Sequence, residues 1–187
     1  MTDCQKLLSL NCTDNPYLTE LWLWNDQISD LNKDYHTEIK YYLFEIGDRY
    51  SYKGKEGIVF AVSDGGPHGK IVSIDETKCV WSTEKVTTGA TDKNDGMKNL
   101  RTIQAIAGWH EKYPAFAWCA DKGEGWYLPA LNELKALYES GVLELDDWYW
   151  SSSEYDYFDA WDVYMYLGYT YRDSKSDYYY VRAVSAF

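Results

Sequence analysis

Positive charge is what this chain has least of: 18 Lys and Arg stand against 30 Asp and Glu, a net charge of −12. Nucleic acid and anionic lipid both select a basic footprint, so neither is an expected partner. Histidine is scarce too. The three copies, His36, His68 and His110, are scattered, and no metal centre is expected from them. The four cysteines (Cys4, Cys12, Cys79, Cys119) form no CxxC or metal-type spacing. Two disulfides and isolated buried thiols both remain open, and the redox compartment is undecided. No run of about 18 apolar residues occurs, so direct membrane insertion is not expected. Met1-Thr-Asp-Cys-Gln5 does not read as a secretory signal, and an export signal or anchor is expected upstream. GxSxG, HExxH and GxxxxGK[ST] motifs are missing, so no catalytic residue and no cofactor is expected.

Aromatic residues are plentiful, with 9 Trp and 19 Tyr in 187 residues. Tyrosine beyond the needs of a core marks recognition surfaces, because it offers contact area and a hydroxyl with few torsions to freeze. Hydrophobic content of 45% supports a packed core.

Residues 1–44 read differently from the rest. Leu7, Leu8, Leu10, Leu18, Leu21 and Leu23 follow an L-x-L-x-C-x-x-N pattern that resembles leucine-rich repeats, with Trp24 to Tyr42 as a terminal cap. A single repeat cannot bury its own face, so the chain is expected to be the C-terminal piece of a longer protein. The competing reading is a local strand–turn–strand. From residue 45, Gly57–Val62 and Gly69–Ile74 predict a hairpin around Asp64–Gly69. Asp92–Met97 only faintly echoes a calcium loop, with Ile103 where the twelfth position needs Glu, and reads as a polar loop entering a helix. Leu100, Ile103, Ile106, Ala107 and His110 carry helical spacing. A second helix opens near Pro129, runs through Leu131, Leu134 and Leu137, and stops at Gly141.

The tail is the most informative segment. Ten of the 19 tyrosines fall within the last 39 residues. In Trp161-Asp-Val-Tyr-Met-Tyr166 strand alternation places Trp161, Val163 and Met165 on a core-like face and Asp162, Tyr164 and Tyr166 on the other. Gly168 marks a turn, Tyr169 and Tyr171 resume the alternation, and Val181 to Phe187 predicts a closing strand.

Four blocks occur in order: Gly125-Trp-Tyr-Leu-Pro-Ala-Leu-Asn-Glu-Leu-Lys135, Tyr149-Trp-Ser-Ser-Ser-Glu-Tyr155, Ala160-Trp161 and Tyr180-Val-Arg-Ala-Val184. This set resembles the C-terminal domain of variable proteins from diversity-generating retroelements, over about residues 46–187. The resemblance implies an α+β, C-type-lectin-like fold of two helices and twisted antiparallel strands. The expected organisation is a short leucine-rich-repeat cap (1–44), then a ligand-binding domain (45–187) with a variable region at about 150–187.

In that family adenines of a template are miscopied into the gene's 3′ end. Randomised Asn codons reach Tyr, Asp, Ser, Phe, Leu and Arg but not Trp, Met, Lys, Gln or Glu. Between Asp156 and Tyr179 the unreachable types are Trp161, Met165 and Lys175, with Lys175 taken as fixed without separate support. The implied ligand-binding positions are Asp156, Tyr157, Phe158, Asp159, Asp162, Tyr164, Tyr166, Leu167, Tyr169, Tyr171, Arg172, Asp173, Ser174, Ser176, Asp177, Tyr178 and Tyr179. Trp150, Trp161, Val163, Val181 and Val184 are the implied scaffold.

The function expected on this basis is a receptor- or adhesin-like protein at the cell surface, diversified by a retroelement, that captures a protein or glycan on another cell or a phage. The alternative is a non-diversified adhesin, or a metal-independent glycan-binding domain of the same fold. Formylglycine-generating enzymes need reactive cysteines late in the domain, and none follows Cys119. Calcium-dependent sugar lectins resemble a Glu-Pro-Asn then Trp-Asn-Asp pattern. Here Trp24-Asn25-Asp26 stands alone in the repeat-like segment.

Overall fold

The computed structural model describes residues 9–23, 30–52 and 54–187. Cys4, Leu7, Leu8 and Trp24-Asn25-Asp26 lie outside the described residues.

The chain opens with β1 (Ser9–Cys12), β2 (Glu20–Leu23), β3 (Asp30–Lys33) and β4 (Glu38–Tyr41). β1 pairs in parallel with β3, and β2 in parallel with β4. The segment therefore coils, with strands on two separate sheets alternating along it. Thr37 locks one turn on the next by donating to the Leu18 carbonyl (2.7 Å), and the Cys12 thiol donates to the Asn32 carbonyl (3.3 Å). This corrects the expected leucine-rich-repeat cap, which requires one sheet with one strand per repeat. Leu10, Leu18, Leu21 and Leu23 are half-buried, so among the described residues these leucines form no stacked core of the kind that defines such a repeat.

Two five-stranded sheets follow. β5 (Arg49–Tyr52), β6 (Lys55–Ser63) and β7 (His68–Val72) begin one of them, with β6 and β7 as the expected hairpin. β8 (Thr77–Val80) crosses to the other. Helices α1 (Gly96–Gln104), α2 (Trp109–Lys112) and α3 (Pro114–Ala120) precede β9 (Trp126–Tyr127) and α4 (Leu131–Ser140). The tail supplies β10 (Trp148–Glu154), β11 (Asp159–Tyr164), β12 (Tyr169–Ser174), β13 (Tyr178–Val181) and β14 (Val184–Ala186). The sheet orders are β5-β6-β7-β14-β9 and β12-β11-β10-β13-β8.

The molecule is mostly β, with fourteen strands and four helices among the described residues. This corrects the expected α+β C-type-lectin-like fold of two helices. The first helical stretch is divided, α1 ending at Gln104 and α2 starting separately after Gly108, whose φ of 69° is left-handed. Pro114 then opens α3 at a position where its missing N–H is harmless. α4 stops where expected, with Leu131, Leu134 and Leu137 buried and Gly141 left-handed at its end, but it starts at Leu131 after the N-cap Ala130, so Pro129 precedes the helix instead of lying in its first turn. The Asp95 carboxylate caps α1 by accepting from Lys98 N–H at 2.8 Å, a contact typically contributing about 1 kcal/mol.

The ordered sequence blocks are the joints of this scaffold. The Ser151 hydroxyl donates to the Trp161 carbonyl (2.7 Å). Ser152 accepts from Asn99 of α1 (2.9 Å), and Ser153 accepts from the Leu131 N–H that starts α4 (3.0 Å). At the irregularity in β10 the Ser151 hydroxyl thus ties β10 to β11, and those of Ser152 and Ser153 fasten α1 and α4 to the sheet. Arg182 sits between β13 and β14, where the chain changes sheets. Its guanidinium donates to Glu76 (2.9 Å) and to the carbonyls of Ser73 (2.8 Å) and Ile74 (2.9 Å) on the other crossover, β7 to β8. The buried indoles of Trp81 and Trp150 donate to Ser151 and Cys79 carbonyls, which satisfies their N–H groups in an apolar core. Cys12, Cys79 and Cys119 are free thiols, so no disulfide links the described residues.

Candidate ligand-binding face

β11 carries the tail's alternation into the β12-β11-β10-β13-β8 sheet. Residues opposite each other in a ladder point to the same side. Trp148 faces Tyr164, Trp150 faces Asp162, and across the next ladder Asp162 faces Tyr171 and Tyr164 faces Tyr169. One side of the sheet therefore collects Trp148, Trp150, Asp162, Tyr164, Tyr169 and Tyr171. The side holding Val163 and Tyr149 is buried, and α4 lies against β10 and β11.

Trp148 is the hub of this face. Its ring stacks on Tyr164 (centroids 4.7 Å apart) and Tyr179 (5.7 Å) and meets Tyr171 edge-on at 4.8 Å. Tyr179 also packs on Trp150 at 4.7 Å, and its hydroxyl donates to Asp173 at 2.9 Å. Tyr164 touches Tyr166 at 6.1 Å. Aromatic pairs at these separations each contribute on the order of 1 kcal/mol beyond their burial, so the cluster is pre-organised. Gly168 holds the β11–β12 turn at φ 71°, and a Cβ there would run into the Tyr138 ring, which anchors the turn to α4.

Asp162 lies under these rings with 0% exposure, and neither carboxylate oxygen has a hydrogen-bond partner. Burial pushes its pKa up to about 8, helped by the negative charges of Asp173 and Asp177. Tyr179 is likewise raised, first by burial and then by its bond to Asp173.

The expected ligand positions divide into groups. Tyr166, Leu167, Tyr169 and Tyr171 are exposed together around the β11–β12 turn, with Tyr164 half-buried beside them. Tyr157, Phe158 and Arg172 are exposed and Asp156, Asp159 and Ser174 half-buried toward the β10–β11 loop. There Asp156 folds the loop by accepting from Phe158 and Asp159 N–H groups (2.7 and 2.8 Å). Ser176, Asp177 and Tyr178 are exposed at the β12–β13 turn, and Asp173 and Tyr179 are half-buried. Tyr178 opposes Val80 and so points away from Tyr179. Asp162 shares the aromatic side but is covered. Trp148, the hub, was not among the expected positions, although its spacing of two from the buried Trp150 places both on one strand face.

The residues set aside as unreachable by adenine miscopying are mostly interior. Met165 is 2% exposed and Lys175 0%, while Trp161 is half-buried. The Lys175 ammonium donates to Glu154 (2.6 Å) and to the carbonyls of Val86 (2.8 Å) and Asp156 (2.7 Å). Glu154 in turn accepts from the N–H groups of Thr88 and Gly89. Lys175 therefore has a structural role independent of any codon argument.

Elsewhere, a cleft lined by Gly54, Lys55, Lys122, Glu124, Gly125 and Trp126 has its cations engaged, Lys122 with Asp75 (2.6 Å) and Lys55 with the Ala186 carbonyl (3.0 Å). Among the described residues, no group of three or more His, Cys, Asp or Glu is arranged to hold a metal ion. Nor is any helix among them long and apolar enough to cross a membrane.

The fold is similar to that of a fimbrial protein from Bacteroides ovatus ATCC 8483, known from a crystal structure. The TM-score is 0.60 at 16% identity, and the match covers 84% of this chain and 52% of that one. The present chain thus spans about half the length of that protein. The β-rich likeness is one of fold, and it agrees with the two-sheet architecture rather than with a two-helix lectin-like domain. No family model matches the chain, and no curated protein is found similar to it.

Proposed function

We propose that this chain is a non-catalytic, adhesin-like ligand-binding module of a cell-surface protein. Its binding face is the aromatic side of the β12-β11-β10-β13-β8 sheet. The observation that carries this reading is the cluster of rings at the free end of β11 and β12. Tyr166 in the β11–β12 turn and Tyr169 and Tyr171 on β12 are 66%, 58% and 42% exposed, and Tyr138 of α4 packs against that turn. Inert monomers rarely expose a contiguous aromatic patch, and rings held on strands bind with little ordering cost. The fold likeness to a fimbrial protein supports a place at the cell surface. The partner is a protein or glycan on another cell or a phage, captured without covalent chemistry.

The test is to probe glycan and protein arrays with the labelled chain and with a Tyr157→Ser, Tyr166→Ser, Tyr169→Ser variant. All three side chains are exposed, so the variant is expected to fold. Loss of the wild-type binding profile supports the reading, and a profile indifferent to the three substitutions overturns it.

A second reading adds diversification of the tail by a retroelement. It is favoured by the burial of Met165 and Lys175, two of the three unreachable types, against the exposure of Tyr157, Tyr166, Tyr169 and Tyr171. A near-copy of the codons for Trp150 to Phe187 beside a reverse-transcriptase gene, with adenines at the mismatches, supports it. The absence of such a copy within several kilobases leaves a fixed-specificity adhesin.

A further inference from the structure

We infer that the aromatic face contains a cation subsite, in which the rings of Trp148, Tyr164, Tyr171 and Tyr179 cover the buried carboxylate of Asp162 and part to admit a lysine or arginine side chain of a protein partner. This deepens the proposed binding face and rests on that reading.

Three observations converge. The first is the unpartnered carboxylate. Asp162 is fully buried on the aromatic side of the sheet, and both of its oxygens lack a donor. A buried acceptor left without a donor destabilises a protein, so an arriving donor recovers that loss.

The second is the sign of the charges. Those that reach Asp162 are Asp173 of β12 and Asp177 of the β12–β13 turn, both negative. The groups packed round it from β10, β11, β12 and β13 are Trp150, Tyr164, Tyr171 and Tyr179, none of them cationic.

The third is a contrast within the same sheet and its β10–β11 loop. Other aromatic rings there already hold a cation of the chain itself: Arg172 over Tyr155 (4.5 Å), Lys93 over Trp161 (4.3 Å), Lys85 over Phe158 (3.7 Å) and Lys78 over Tyr180 (4.7 Å). Among the described residues no such cation stands over Trp148, Tyr164, Tyr171 or Tyr179.

Rings attract a cation through their negative faces, most strongly when it is desolvated, and a carboxylate beneath them supplies the countercharge. A lysine ammonium or arginine guanidinium meets both demands, while its aliphatic stem lies along the rings. A bare divalent ion is the poorer fit, because rings offer it no oxygen ligands. Asp162 is protonated near neutral pH in the free chain, so the arriving cation displaces a proton. Affinity therefore rises with pH until the free carboxyl is ionised, at about pH 8.

The test titrates the full chain with Nα-acetyl-lysine methylamide, its arginine counterpart and the neutral norleucine counterpart, followed by indole and amide resonances. Calcium chloride is run as a separate arm. The expected result is saturable binding of both cationic compounds at Trp148, weaker by about tenfold or more for norleucine. Asp162→Asn is expected to remove that preference and its pH dependence. Asp173→Asn, on the half-buried rim, weakens it while leaving Asp162 in place and guards against a misfolded Asp162 variant. Equal binding of norleucine, no binding of either cation, displacement of both by calcium, or an unchanged preference in Asp162→Asn each overturns the inference. If the cations fail while array binding still depends on Tyr157, Tyr166 and Tyr169, the subsite falls and the binding face stands. If they bind at Asp162 while the arrays ignore those tyrosines, the subsite stands and the wider face falls.

Discussion

Replacing Asp162 with Asn should make the protein more stable at neutral and mildly alkaline pH and leave it nearly unchanged near pH 4. An unfolded chain releases the Asp162 proton near 3.8, whereas the folded chain holds it to about 8. Between those values the native state binds the extra proton, so stability falls as pH rises, by about 1.4 kcal/mol per pH unit. At pH 7 the accumulated penalty is about 4 kcal/mol, an upper figure because the unfolded chain and local water both soften it. Asn has nearly the same shape as the protonated carboxyl and carries no titration.

Other groups must be separated from this one. Asp75, Asp92 and Asp156 are held below 3.8, so their stabilisation is present above that value and is lost only on acidification below it. His110 is raised by its bond to Asp121. Its contribution is present below 6.5 and disappears as pH rises through its folded value, in the same direction as Asp162. The difference between variant and wild type cancels these terms. Urea unfolding followed by tryptophan fluorescence, at about pH 4, 5.5, 7 and 8, measures it. A difference that grows by several kcal/mol toward pH 8 is expected. A difference independent of pH would refute the reasoning, since it would mean Asp162 ionises at its ordinary value.

Three further outcomes are expected. Lys175→Met leaves Glu154 buried without its cation and should lower stability by about 3–5 kcal/mol, read as a drop in urea midpoint. In Arg182→Ala the three bonds joining the two sheet crossovers are lost. A loss of about 3 kcal/mol is expected, and faster amide exchange in β8 and β14 would locate it. Gly168→Ala forces a Cβ into the Tyr138 ring at a left-handed φ and should cost about 1–3 kcal/mol, partly recovered in a Gly168→Ala, Tyr138→Ala double variant.

The hairpin β6–β7, the leucine face and C-terminal limit of α4 and the strand alternation of β11 were all legible as local pattern, because turn residues and a period of two or 3.6 leave their mark in a few consecutive positions. Alternation also assigned Asp162 and Tyr164 to one side of β11. It could not reveal that Asp162 is roofed, since its cover comes from β10, β12 and β13. The same limit applied to the leucines of residues 1–44. Their spacing was visible, but whether they stack in one sheet depends on partners about twenty residues away, and Leu10 proved to lie in one sheet and Leu21 and Leu23 in another, all three half-buried. The ordered blocks around Trp126, Trp150 and Arg182 were recognisable as motifs, yet only three-dimensional placement showed them to be joints between sheets and helices.

Composition and alternation by themselves determined that this acidic, tyrosine-rich chain carries a packed core and an aromatic strand face, because charge balance and side-chain direction are local properties. Tertiary structure alone decided the two five-stranded sheets, the central position of Trp148, the interior Lys175–Glu154 pair and the unpartnered carboxylate under the rings. Each of these depends on segments far apart in sequence being brought within a few ångströms, and neither residue type nor spacing encodes that distance.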